Sequence, residues 1–167
     1  MTKKHFIFSA SILSLVCTAW AADLSLYRDL PSDYDGIGHH AQVRQNGEEN
    51  FLDSRQSGST HFLWAEQSGN GNHAINLQTE SRHSIVLSQQ GQSNSSEISQ
   101  QGEGNLAVLV QAGNENSAQI VQTGVANQFQ GNQIGYRNRI EVEQSGSGMN
   151  LVVRQEGNGN FMHAIQR

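Results

Sequence analysis

Glutamine recurs in this sequence at a spacing of eleven residues without a miss. Two residues after nearly every one comes Gly, with Glu80 as the exception, and five residues after most of them comes Asn. The unit reads Gln-x-Gly-x-x-Asn-x-φ-x-φ-x-Gln, where φ is small or apolar. Such self-similarity constrains the fold more than any other feature of the chain. The twelve repeated glutamines are Gln45, Gln56, Gln67, Gln78, Gln89, Gln100, Gln111, Gln122, Gln133, Gln144, Gln155 and Gln166.

An eleven-residue period fits two kinds of secondary structure. It can describe helices in a right-handed supercoil, but each unit here contains Gly and usually Asn, which both disfavour a helix interior. The residues before each Gln alternate in polarity, as a strand with one buried face does. The φ positions of twelve such strands number 24, and 20 of them are apolar. We therefore predict a five-residue strand and a six-residue turn in each unit of eleven.

Alternate units differ at their turns, so the full period is 22 residues. The turn after Gln45 and every second turn after it keep both Gly and Asn, whereas the turns between them are looser. Two short strands cannot bury an apolar face alone, so successive units must stack. The sequence predicts an all-β protein, a flat cross-β solenoid of six 22-residue rungs with two short strands per rung. At a strand spacing of ~4.8 Å its length is about 29 Å.

Stacked rungs would align identical side chains in columns. Each repeated Gln would lie above the Gln 22 residues earlier, and the amides would donate and accept along the stack as in cross-β assemblies. Glycine at the strict turn would supply the positive φ that other residues avoid. Besides the twelve glutamines, the predicted stacking ladder comprises Asn50, Asn72, Asn94, Asn116, Asn138 and Asn160. The predicted turn glycines are Gly47, Gly69, Gly91, Gly113, Gly135 and Gly157.

The first residues have the composition of a secretory signal peptide. Lys3 and Lys4 precede an apolar run at 6–16 that is too short to span a bilayer, and Ala19 and Ala21 are the small residues that a signal peptidase reads. The predicted organisation is a signal peptide at 1–21, a flexible acidic N-terminal segment at 22–39 and the repeat solenoid at 40–167.

Cleavage after Ala21 would change the chemistry of the chain. It removes Cys17, the only cysteine, and both lysines, which leaves 8 Arg against 15 acidic residues and a charge of −7. The exported chain could form no disulfide. An acidic chain without lysine is a poor candidate for binding nucleic acid or anionic lipid.

The two ends of the predicted solenoid differ from those of a capped one. The sequence given ends at Arg167, one residue after Gln166, and the 22–39 segment is aperiodic and contains Pro31. Soluble solenoids usually cover their terminal rungs with caps. We expect both terminal rungs to present unpaired backbone groups, which recruit further strands. The predicted templating edge consists of Gln155, Gln166 and Arg167.

The repeat resembles that of the curlin family over residues 40–167. Gln111, Gly113, Asn116, Ala118 and Gln122 stand at the relative positions of the curlin repeat. Curlins are exported by bacteria and form functional amyloid fibres on the cell surface. The resemblance implies a curli fimbrium subunit that supports adhesion and biofilm. Its implied partners are copies of itself, homologous curlin subunits, the outer-membrane curli secretion machinery and the cell surface, and its implied location is extracellular.

The family divides into a major subunit that builds the fibre and a minor, surface-attached subunit that nucleates it. The 22–39 segment lacks the Gly-rich composition typical of the major subunit, and Gln166-Arg167 gives the basic end expected of the minor one. The last repeat nevertheless keeps Gly157 and Asn160, whereas the final repeat of the minor subunit is divergent. The sequence favours the nucleator, with the major fibre subunit as the alternative.

Other chemistry has little support in the sequence. His61 and His83 fall at the same looser corner of adjacent rungs and could bind a metal or respond to acid, but no third ligand is evident. We interpret them as substituted turn positions. No nucleophile–base pair or phosphate loop is present. An ice-binding solenoid needs an array of Thr, of which the exported chain has three. We predict no enzymatic activity, cofactor, metal, nucleic acid or small-molecule substrate.

Overall fold

The computed structural model describes residues 11–19, 24–29 and 38–167, and this part of the chain consists of strands and their connections, with no helix. The predicted cleavage site after Ala21 lies outside the described residues. The strands are β1 (Ser11–Ala19), β2 (Leu24–Asp29), β3 (His40–Asn46), β4 (Asn50–Ser59), β5 (Phe62–Asn70), β6 (His73–Ser81), β7 (Ser84–Gln92), β8 (Ser95–Glu103), β9 (Leu106–Asn114), β10 (Ser117–Val125), β11 (Gln128–Tyr136), β12 (Arg139–Ser147), β13 (Asn150–Asn158) and β14 (Phe161–Gln166).

The strands form two seven-stranded sheets. One has the order β1-β4-β6-β8-β10-β12-β14, and the other has the order β13-β11-β9-β7-β5-β3-β2. From β3 to β12 each strand pairs in parallel with the strand 22 residues later, so that Gln45 lies beside Gln67 and Gln56 beside Gln78. Each rung is an odd-numbered strand followed by the next even-numbered one. The predicted β-solenoid of six rungs is therefore confirmed.

The strands are longer than the sequence predicted. Most contain nine residues, such as His73–Ser81 and Ser84–Gln92, and they continue through the position of the turn glycine. Each rung bends at the same point, so the bent residues still pair with the rung beside them. Gly47 bends with a φ of +104°, and a Cβ on it would lie 2.3 Å from the carbonyl oxygen of Gly69. Only glycine permits both this angle and this approach.

The core lies between the two sheets and consists of the predicted inward positions. Leu63, Ile85 and Phe129 are almost fully buried there. Phe129 fits because Gly131 faces it: a Cβ on Gly131 would lie 2.6 Å from the Phe129 ring. The inward residues of the last rung are less covered, since Leu151 and its neighbours Met162 and Ala164 are only partly buried. The core is therefore continuous along the stack and incomplete at its C-terminal end.

The first rung is covered on its outer edge. β2 pairs antiparallel with β3, and β1 pairs antiparallel with β4. β1 lies within the predicted signal peptide, and β2 lies within the segment that we predicted to be flexible. The structure differs from our expectation of an unpaired first rung, because the hydrogen bonds of these two strands occupy the edges that β3 and β4 would otherwise present.

Candidate functional site

The repeated glutamines form two columns between the sheets, one along each sheet. In each column the side-chain Nε2 donates to the Oε1 of the Gln 22 residues later, at 2.6–3.1 Å. The second hydrogen of Nε2 goes to a backbone carbonyl, as Gln67 Nε2 donates to Phe51 O at 2.9 Å. The glutamines from Gln45 to Gln144 are 0–1% exposed. From Gln67 to Gln144 each buried amide thus both donates and accepts within the stack, which removes the cost of burying it unpaired.

Asparagine forms a third column at the strict corner between an odd strand and the next even strand. Asn72 donates from both its backbone N and its Nδ2 to Asn50 Oδ1, at 3.1 and 3.0 Å. Its Nδ2 also donates to Gly91 O at 3.1 Å, in the following rung. The same contacts recur through Asn94, Asn116 and Asn138 to Asn160. The corner is therefore held to the rungs on both sides.

The looser corner carries a mixed column that sequence reasoning did not resolve. His61 Nδ1 accepts the backbone N–H of His83 at 3.3 Å, and His83 Nδ1 accepts the backbone N–H of Asn105 at 3.1 Å. The two imidazole rings stack at 5.3 Å between centroids. Farther along, Asn105 Oδ1 accepts from Asn127, and Asn127 Oδ1 from Met149. Histidine here performs the acceptor role of asparagine, which the shared position in the repeat could have indicated.

The buried histidines resist protonation. Burial lowers the pKa of His61 to about 4, although the carbonyl of Ser57, which accepts from its ring, acts in the opposite direction. Burial also lowers the pKa of His83, against the carbonyl of Thr79 and the charge of Glu80. At neutral pH both rings are neutral, with Nδ1 as a hydrogen-bond acceptor.

The turn glycines differ between the interior and the end of the stack. All six have φ between +101° and +122°. A Cβ on Gly135 would lie 2.1 Å from Gly157 O, whereas a Cβ on Gly157 would meet nothing closer than Asn160 Nδ2 at 3.7 Å. The difference arises because no rung lies beyond Gly157 in the described part of the chain.

The last rung exposes apolar surface, and no described strand pairs with it on its outer side. β13 and β14 are the outermost strands of their sheets. Val152 and Phe161 are 66% and 62% exposed, more than any other large apolar side chain described. A cleft of ≈ 460 Å³ opens between the two strands and includes Gln155 and Met162 in its lining. A further pair of strands could add to this edge.

The predicted templating residues do not all lie together. Gln155 and Gln166 accept from Gln133 and Gln144 and so end the two glutamine columns. Arg167 is outside the columns, and its guanidinium lies 3.9 Å from a carboxylate oxygen of Glu143. The structure places Arg167 on the outer surface, beside the last rung of the ladder.

The described residues contain no group of three or more His, Cys, Asp or Glu side chains that could hold a metal ion. Nor do they contain a helix whose length and apolar character would let it cross a membrane.

Comparison with known protein families gives a match to a repeat family. The family described as the curlin associated repeat matches residues 91–124, which include all of β8 and β9. The matched segment contains the Gln100 and Gln111 members of the two columns. No curated protein and no solved structure gives a significant match.

Proposed function

We propose that this chain is a curli-type subunit of an extracellular functional amyloid. The curlin associated repeat at 91–124 and the six-rung β-solenoid support this proposal. The observation that carries it is the last rung, where β13 and β14 have no described strand paired on their outer side and the core is incompletely covered. Such an edge is a template for strand addition, and natural monomers usually cover it.

The proposed activity is templating by backbone pairing. An incoming chain would align its strands along β13 and β14, and its side-chain amides would continue the columns that end at Gln155 and Gln166. A shift of one residue would place the incoming core side chains on the outer face. The amide columns therefore select the register, while the backbone hydrogen bonds and the buried apolar surface stabilise the product.

Within the fibre we assign this chain the role of the minor subunit, which nucleates polymerisation of a homologous major curlin at the cell surface. The assignment depends on the composition of the 22–39 segment and on the Gln166-Arg167 end. The major fibre subunit is the second candidate, because the last repeat keeps Gly157 and Asn160. Either role requires signal-peptide cleavage, passage through the outer-membrane curli secretion machinery and a contribution to adhesion and biofilm.

Seeding kinetics test the templating activity. We expect the double variant Gln155→Ala, Gln166→Ala to lengthen the lag of thioflavin T fluorescence when preformed seeds of the variant are added to wild-type chain. The matched control is Gln130→Ala, since Gln130 is exposed on the outer face of β11. Equal lag times with variant seeds and wild-type seeds would contradict a role of the last rung in templating.

A second assay separates the two subunit roles. A nucleator should shorten the lag of a homologous curlin at substoichiometric amounts. A major subunit should instead form abundant fibres alone at low concentration. Negative results in both assays would contradict the proposed function as a whole.

A further inference from the structure

The two outer faces of the solenoid differ in their charge. In each strand three outward residues precede the repeated Gln, as Ser84, Val86 and Ser88 precede Gln89. We call the outward side of β3, β5, β7, β9, β11 and β13 the β9 face, and that of β4, β6, β8, β10, β12 and β14 the β10 face. With His neutral, the charged outward residues of the β10 face are Asp53, Arg55, Glu97, Arg139, Glu141 and Glu143. Those of the β9 face are Arg44, Glu66 and Arg154.

The β9 face also carries a continuous apolar patch. The patch consists of Phe62, Trp64, Val86, Leu106, Val108 and Val110. Its residues are in register, since Trp64 pairs with Val86 and Val86 with Val108. Phe62 and Val110 are each 37% exposed. On the β10 face, Glu97 of β8 separates the apolar side chains of β6 from those of β10.

The β9 face has no layer packed against it in the described part of the chain. The two sheets enclose the core between their inner sides, and their outer sides face away from each other. A continuous apolar patch with a polar rim is typical of an interaction site.

We propose that the β9 face packs on the β9 face of a second copy, with the two solenoids side by side and a two-fold axis along the stack. Each rung then lies over the same rung of the partner, and Val108 lies over Val110. The contact is lateral and involves no strand edge. It therefore goes beyond the proposed function, in which strands add at the last rung.

The size of the β9 face is sufficient for such a contact. The part of each strand before the bend, as in His40–Asn46, contains seven residues. Seven residues at ~3.3 Å and six rungs at ~4.8 Å give a face of roughly 23 by 29 Å, or about 670 Å² per copy. Both copies together would bury about 1,300 Å², which falls within the range of specific protein interfaces.

The charges of the β9 face fit this pairing. Arg44, Glu66 and Arg154 all occupy the third outward position of their strands, and the second position is uncharged in every rung. The two-fold axis sets the third position of one copy over the second position of the other. Arg44 therefore lies over Gln42 and Arg154 over Val152, so no like charges meet.

The same arrangement of two β10 faces would be unfavourable. Glu141 and Glu143 occupy the second and third outward positions of β12. The two-fold axis would set Glu143 of each copy over Glu141 of the other, and like charges opposed across an interface disfavour association. The charge pattern thus selects the β9 face for self-association.

Chemical cross-linking tests the proposal with a matched pair of variants. Ser88 and Ser99 are both partly exposed at the third outward position of one rung, Ser88 on the β9 face and Ser99 on the β10 face. The exported chain has no cysteine after the predicted cleavage, so Ser88→Cys and Ser99→Cys each supply a single thiol.

The cross-linker is a short bis-maleimide, which joins two thiols. With sheets ~10 Å apart, the two Ser88 positions of a lateral pair lie about 12 Å apart, whereas copies added along a fibre would place them about 29 Å apart. A reagent that spans only the shorter distance therefore reports lateral pairing alone. We expect covalent dimers from Ser88→Cys and monomers from Ser99→Cys under denaturing electrophoresis.

A second pair of variants tests the apolar contact itself. Val108 and Val121 are partly buried outward residues of neighbouring strands, on the β9 and β10 faces respectively. Val108→Glu would bury an unpaired carboxylate against Val110 of the second copy. In the Ser88→Cys background we expect Val108→Glu to lower the dimer yield to that of Ser99→Cys, and Val121→Glu to leave it unchanged.

The reaction is carried out on the unassembled chain and on fibres. Dimers of Ser88→Cys in either sample support the pairing, and their absence from both overturns it. Dimers that form only when Ser88→Cys and Ser99→Cys chains are mixed would show that unlike faces pack, which also overturns it.

A lipid surface is the other occupant that the experiment distinguishes. If Ser88→Cys gives no dimers and the chain instead sediments with phosphatidylcholine vesicles unless it carries Val108→Glu, the β9 face binds lipid and the proposal is wrong. Absence of fibres from a wild-type chain whose Ser88→Cys variant still forms dimers would contradict the proposed function and support the lateral pairing.

Discussion

Gln111 donates from Nε2 to Gln133 Oε1 at 2.8 Å, although the two residues are 22 positions apart in the sequence. Their strands, β9 and β11, are neighbours in parallel pairing. The contact is one step of a column in which each interior amide is both donor and acceptor. The stability of the solenoid should therefore depend on the buried amides as well as on the apolar core.

Replacing Gln111 by Leu tests this dependence. The change removes the column acceptor of Gln89 Nε2, which keeps its contact to His73 O, and leaves Gln133 Oε1 without its donor. Each unpaired buried group costs about 1–3 kcal/mol. We expect a lower free energy of unfolding in guanidinium titration of the unassembled chain. The control is Gln130→Leu, on the exposed face, which should change stability by less than about 0.5 kcal/mol.

Asn76 offers the opposite test, because it is a buried amide outside the columns. It is 1% exposed at an inward position, and neither Nδ2 nor Oδ1 has a hydrogen-bond partner among the described residues. Asn76→Leu is nearly isosteric and removes both unpaired groups, so it should raise the free energy of unfolding by about 1–3 kcal/mol. The same substitution at Asn94, inside a column, should destabilise the chain. Destabilisation at both positions would contradict this account of Asn76.

The histidines of the looser corner should make stability fall in acid. The folded pKa of His61 is about 4, below the ordinary value of 6.5, so the unfolded chain binds more protons between these values. The free energy of unfolding that neutral His61 contributes is fully present above pH ~6.5 and decreases as the pH falls toward about 4. Below about pH 4 this residue causes no further change. Glu80 faces His83 and raises its pKa, and Arg82 pairs with Glu103 nearby.

The variant His61→Asn, His83→Asn should remove much of this pH dependence. Asparagine already occupies this column at Asn105 and Asn127. There the side-chain Oδ1 accepts a backbone N–H from the next rung, as Nδ1 does at the histidines. Guanidinium midpoints measured from pH 4 to pH 7 provide the test. If the guanidinium midpoint of the double variant depends on pH as strongly as that of the wild type, the acid sensitivity belongs to other groups.

Glu80 occupies a turn position where ten other units have glycine. Its φ is +82°, an angle that a residue with a Cβ adopts at a cost of about 1–2 kcal/mol. Glu80→Gly should stabilise the chain, by about 1 kcal/mol after allowing for the greater freedom of glycine when unfolded.

The reverse change at the equivalent position of another rung is the matched control for Glu80→Gly. A Cβ on Gly124 would lie 2.1 Å from Gly146 O. Gly124→Glu should therefore lower the midpoint of thermal unfolding, where Glu80→Gly raises it. A lower midpoint for Glu80→Gly would show that the Glu80 side chain stabilises the fold by more than its positive φ destabilises it.

The repeat was sufficient to predict the rungs and their register. Alternation around sites such as Leu63 and Ala65 identified the buried face, and the 22-residue period aligned Gln45 with Gln67. These features are local and recur in every unit, so each unit supports the same interpretation. Strand length was wrong because turn glycines normally end strands, whereas identical bends in stacked rungs continue to pair.

Other features depend on groups that the repeat does not encode. The pairing of Leu24–Asp29 with β3 joins an aperiodic stretch to the first rung, and no periodicity indicates it. The acceptor role of His61 depends on which ring nitrogen faces the next rung. The direction of the amide columns depends on backbone groups such as Phe51 O, whose position only the folded chain supplies.

The parallel pairing of each rung with only the rungs beside it has a consequence for how such a chain can change in length. An in-frame duplication of one interior 22-residue segment would insert a rung whose neighbours on both sides already have compatible side chains. Neither flanking interface would need a compensating mutation. Gene-level gain or loss of whole repeats is therefore an accessible route by which descendants of this chain become longer or shorter while keeping the same cross-section.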